Sequence, residues 1–164
     1  LREDFLRRKN PGVANIEKIR GRVPDQVKSQ ADAVDLVFDF SSIVYMPNTK
    51  LAHRLVMGAE ASQLQAQLVE VLFRYYLVEG CDIGNSDVLL RAGLEVGMSP
   101  RDCEYFLFGE RPGISLEERL RDGVNIGISG VPCIVATNNL MLPGVQTLDV
   151  LKSFISRSVE LSEK

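Results

Sequence analysis

Tryptophan is absent from this 164-residue chain, and histidine occurs once, at His53. Cysteine occurs three times, at Cys81, Cys103 and Cys133, and no two of them form a Cys-x-x-Cys pair. A sparse, odd set argues against a disulfide framework and fits a reducing, cytoplasmic setting. One histidine with scattered cysteines offers no zinc-ligand spacing, so no metal is expected. Neither a glycine-rich phosphate loop nor a nucleophile elbow occurs. No apolar run approaches membrane-spanning length, and no signal peptide is recognisable. A net charge of −3 supplies no pull toward nucleic acid.

What remains is ordinary globular usage, 45% hydrophobic and 25% charged, in a chain long enough for one domain with a sizeable core. Leu1 rather than Met stands first, so the natural start and any targeting segment are expected upstream. The first nine residues read as a short helix with Phe5 and Leu6 inward and a basic end in solvent. Asn10-Pro11-Gly12 closes it. Residues 13–33 carry a helical apolar face that Gly21 and Pro24 must break. Residues 34–40, Val-Asp-Leu-Val-Phe-Asp-Phe, are rich in β formers and partly alternating, and predict a strand.

Helical signals follow in series. Asn48 or Thr49 is a plausible cap for a helix with Leu51, Leu55 and Val56 inward. In that helix His53 reads as a partly buried polar residue with a satisfied hydrogen bond. Residues 63–79 form a longer helix with two apolar stripes, Leu64-Leu68-Val71-Leu72-Tyr75 and Val69-Phe73-Tyr76, and are expected to be covered on two sides. Ser86 is expected to cap the next helix. Ser99-Pro100 starts another, with Gly109 at its end, and Ser115-Leu116-Glu117-Glu118 is a capping box for a third. Cys103 reads as a small apolar residue within a helix.

The C-terminal part is organised around Gly130-Val131-Pro132-Cys133-Ile134-Val135. Gly130 frees the backbone, Pro132 fixes its own φ, and a β-branched run follows, so a tight loop feeds a buried strand. Val131-Pro132 is a candidate cis bond or an ordinary trans one at a strand start. Asn138-Asn139 turns the chain into a second short strand, Leu140-Met141-Leu142, and Pro143-Gly144 closes the hairpin. Thr147 then caps a helix with Leu148, Leu151, Phe154, Ile155 and Val159 on its apolar face.

Three groups of residues together resemble one family. They are Asn48-Thr49 with Ala52-His53-Arg54-Leu55, then Leu72-Phe73-Arg74-Tyr75 with Glu79-Gly80-Cys81-Asp82-Ile83, and finally Gly130-Val131-Pro132 with Gly144-Val145-Gln146. In this order they resemble the DsbA-like oxidoreductases, FrnE-type, which are related to 2-hydroxychromene-2-carboxylate isomerases and kappa-class glutathione transferases. The resemblance implies an α/β, thioredoxin-like fold with an inserted α-helical subdomain. Residues 1–45 and 129–164 would be the thioredoxin-like part and 46–128 the insertion, within one domain over 1–164. It further implies that the N-terminal strand and the catalytic helix lie upstream of Leu1. Val131 and Pro132 would hold a substrate backbone, and Asn48 and His53 would border the site.

The family's catalytic dithiol is missing from these residues. Thioredoxin-type exchange needs a low-pKa thiolate at a helix N-terminus beside a resolving thiol. Cys133, directly after the proline, is a second departure. It is either an inert buried strand thiol or an extra redox-sensitive one. The implied function is thiol–disulfide exchange with a substrate protein, in an N-terminally truncated chain that needs no cofactor. Two alternatives stay open: a glutathione-dependent isomerase or transferase, with glutathione as co-substrate, and a non-catalytic thioredoxin-like binding module. A homodimer would cover apolar surface left by the missing elements.

Overall fold

A computed structural model of the chain describes residues 1–109 and 115–162. By its internal contacts the chain divides into two compact units, Leu1–Pro112 and Gly113–Lys164.

The first unit is helical. It contains α1 (Arg2–Lys9), α2 (Glu17–Arg20), α3 (Asp25–Asp32), α4 (Lys50–Gly58), α5 (Gln65–Leu77), α6 (Ser86–Glu95) and α7 (Pro100–Phe108). The break between α2 and α3 falls over residues 21–24, where Gly21 and Pro24 require it. Helices α4 to α7 pack around one core, whose deepest side chains are Leu55, Leu68, Leu89, Cys103 and Leu107. Two close approaches depend on glycine. A Cβ at Gly58 would run into the Phe106 ring, and one at Gly93 would lie 2.5 Å from Cys103 Sγ.

Helix ends follow local chemistry. Ser99 Oγ accepts the Asp102 N–H at 3.1 Å, Pro100 takes the first position, and α7 ends at Gly109. At α6 the cap is Asn85, whose side chain accepts from the Asp87 and Val88 amides, and the expected Ser86 is the first helical residue. Asn85 sits in extended backbone, which lets its side chain fold back over the first turn, whereas Ser86 is already helical.

Residues 34–40 are not a strand. The Leu36 N–H turns back to the Ala31 carbonyl at 2.9 Å, and the Asp39 N–H goes to Leu77 at the end of α5 at 2.9 Å. Val34, Leu36 and Val37 point into solvent. A β-rich composition makes a strand only where a second strand supplies the ladder, and among the described residues none lies beside this one. On α5 Leu68, Leu72 and Tyr75 of the first stripe are buried and Leu64 and Val71 half-buried, whereas in the second Val69 and Tyr76 are half-buried and Phe73 is 60% exposed, so the second side is covered only in part.

The second unit contains α8 (Leu116–Asn125), β1 (Cys133–Val135), β2 (Met141–Pro143) and α9 (Leu148–Ser162). The capping box of α8 is complete: Ser115 Oγ accepts the Glu118 N–H at 3.1 Å, and Glu118 accepts the Ser115 N–H at 2.6 Å. β1 and β2 pair antiparallel, with Cys133 opposite Pro143, Ile134 opposite Leu142 and Val135 opposite Met141. The turn is the expected asparagine pair. Asn138 Oδ1 accepts the Leu140 N–H, and Asn139 takes φ +63°. Asn138 Nδ2 also donates to the Ser158 carbonyl at 3.0 Å, which ties the turn to α9.

β1 is not the buried strand its composition suggests: Ile134 and Val135 are exposed. A two-stranded ribbon has too few neighbours to cover both faces. The apolar face of α9 is likewise half covered. Leu151 and Phe154 are half-buried, while Leu148, Ile155 and Val159 stand in solvent.

Candidate functional site

The hairpin's entry is the most distinctive backbone in the chain. The Val131-Pro132 peptide bond is cis. Val131 is 91% exposed, and among the described residues neither its N–H nor its carbonyl has a hydrogen-bond partner. Pro132 has no N–H to give, and its carbonyl accepts the Gly144 N–H at 2.8 Å. Gly144 adopts φ +76°, in the left-handed region where a Cβ is penalised. Gln146 Nε2 donates to the Pro143 carbonyl at 2.6 Å. Cys133 follows directly as a half-buried free thiol. The segment therefore presents an unpaired peptide edge on a braced loop, beside a sulfur.

Val131, Pro132 and Cys133 belong to the second unit, and Asn48 and His53 to the first. Asn48 Oδ1 accepts the Lys50 N–H at 3.1 Å, so its side chain serves the start of α4, although the cap position itself is Thr49. His53 is exposed, and among the described residues its ring has no hydrogen-bond partner, contrary to the partly buried, bonded residue its position suggested. It lies between Ala52 and Leu55, both buried, and a single residue step of about 100° carries it off that inward face.

Other nucleophilic groups separate clearly. Cys103 is fully buried, and burial, followed by the Asp102 charge, pushes its thiol pKa up, so it remains a protonated packing residue. Cys81 lies in a polar cluster that sequence reading did not assemble. Its Sγ is 3.4 Å from Arg91 Nη2, Arg91 Nε donates to the Tyr75 hydroxyl at 3.1 Å, and that hydroxyl donates to Glu95 at 2.7 Å. Arg74 reaches the same carboxylate at 2.5 Å. Burial, then the bond to Glu95, raises the Tyr75 pKa. The available signal was the Arg91 and Glu95 spacing, which places both on one face of α6. The cluster pins α5 to α6.

Among the described residues no group of three or more His, Cys, Asp or Glu converges as a metal site, and no helix is long and apolar enough to cross a membrane. A polar depression of about 280 Å³ at Glu3, Arg7, Ala14, Asn15 and Ile16 contains none of the residues singled out above.

The sequence profile of the DsbA-like thioredoxin domain matches residues 1–156. The chain belongs to the DsbA-like thioredoxin domain family. Among solved structures, a probable DsbA oxidoreductase from Streptomyces coelicolor matches with a TM-score of 0.75 and 17% identity, over 96% of this chain and 67% of that one. The shared fold is therefore the DsbA-like thioredoxin fold, here helix-rich with a two-stranded sheet. No curated protein matches the sequence. As a DsbA-like domain the chain falls, at the coarse level, among thiol–disulfide oxidoreductases.

Proposed function

We propose that these residues belong to a FrnE-type thiol–disulfide oxidoreductase of the cytoplasm, acting on a substrate protein, whose dithiol helix lies outside the 164 residues. The observation that carries this reading is the exposed, unpaired peptide at Val131, held on a loop braced by Gly144, in a chain of the DsbA-like family. In this reading Val131 and Pro132 bind the substrate backbone as an added strand. Asn48 and His53 border the site, Cys133 is an auxiliary thiol, and no cofactor takes part. Residues 46–128 form the inserted subdomain, residues 1–45 and 129–164 the thioredoxin-like part, and the functional protein is a homodimer.

The absence of Cys-x-x-Cys keeps a second reading, a glutathione-dependent isomerase or transferase in which the same loop holds glutathione. The two separate in one experiment. Reduced and oxidised samples of the full-length native protein are differentially alkylated and mapped by mass spectrometry. A reversible Cys-x-x-Cys pair preceding Leu1 is the expected result. Its absence overturns the oxidoreductase reading, and glutathione binding without disulfide reduction would then establish the second.

A further inference from the structure

We propose that Gln146 is a positioning residue for the substrate contact at Val131, a role that rests on the oxidoreductase reading above. The Val131 peptide makes no bond of its own among the described residues, so its direction is set by what holds its neighbours. The Gly144 N–H to Pro132 carbonyl bond makes Pro132 and Gly144 the hydrogen-bonded pair that ends the hairpin, and that pair lacks its second bond because Pro132 has no N–H. The hairpin is thus weakest at the end from which Val131 emerges. Gln146 steadies the loop on the Gly144 side of that pair. Its Nε2 holds the Pro143 carbonyl at 2.6 Å, and the adjacent Gly144 N–H holds the Pro132 carbonyl at 2.8 Å. The two bonds bracket Gly144, and together they fix the loop against the entry strand. Gln146 does not itself reach the substrate. It keeps the acceptor at Pro132 engaged, so that the next peptide edge is presented in one orientation rather than several.

The test uses the full-length protein and a synthetic peptide with a single disulfide between fluorophore and quencher. Gln146→Glu keeps the shape but removes the donor at neutral pH, and Gln146→Met removes it without adding charge. Both variants should raise KM about tenfold, the equivalent of one net hydrogen bond. kcat and melting temperature should be unchanged, and the Gly144 amide should exchange faster with solvent. An unchanged KM in both, or a joint fall in kcat and melting temperature without a KM change, overturns the proposal. Val131→Asp separates the two failures. If it raises KM and the Gln146 variants do not, only the role of Gln146 is lost. If it too leaves KM unchanged, or the full-length protein shows no turnover, the reading of Val131 fails and this role falls with it.

Discussion

Two glycines show opposite ways in which one missing methyl group matters. At Gly93, inside α6, alanine would gain about 1 kcal/mol of helix propensity. The added Cβ would, however, press on Cys103 Sγ in a fully buried site, and overpacking of that kind costs about 1–3 kcal/mol. The clash should win, so Gly93→Ala should lower stability in urea unfolding. Adding Cys103→Ala should recover part of the loss, because the two sites share one space. A neutral Gly93→Ala would show that α7 yields more easily than its packing suggests. At Gly144 there is room, since the nearest atom to an added Cβ is Gln146 Nε2 at 3.8 Å. Its penalty is conformational alone: at φ +76° an alanine should cost about 1 kcal/mol.

At the scale of elements, α5 and α8 make separate predictions. Leu68 is fully buried under α5, so Leu68→Ala should cost about 2–5 kcal/mol in urea or heat unfolding. Phe73, one turn and a half along, faces solvent, and Phe73→Ser should stay within about 0.5 kcal/mol. Equal losses would mean that Phe73 is covered in solution. The start of α8 should respond to acid. The Ser115 backbone amide, then its hydroxyl, holds the Glu118 carboxyl below its usual range. A lowered folded-state pKa gives stability that is present above the unfolded value, near about 4.3. That contribution is lost as pH falls through the lower folded value. Hydrogen exchange of the first-turn amides of α8 should therefore accelerate with acid beyond the intrinsic trend, and Glu118→Gln should flatten the dependence.

At the scale of the molecule, the three cysteines should report the fold directly. In the native state Cys103 should resist iodoacetamide until denaturation, while Cys81 and Cys133, both half-buried, react first. Mass spectrometry of partially labelled protein checks this, and early labelling of Cys103 would contradict the helical core. By itself the sequence determined the features that close within a few residues. These include the caps at Ser99 and Ser115, the break over 21–24, the asparagine turn and the brace-bearing Pro143-Gly144 loop. It also carried the family, through motifs spread from Asn48 to Gln146. Only the tertiary structure decided which surfaces are covered. Residues 34–40 have a strand's composition, yet the amides of Val34 and Leu36 are taken by Ala31 and that of Asp39 by Leu77. Phe73, Ile134 and Ile155 have core composition, yet they stand in solvent. The physical reason is range. A cap is satisfied by its own next turn, whereas a ladder or a buried face exists only if a distant segment arrives to complete it.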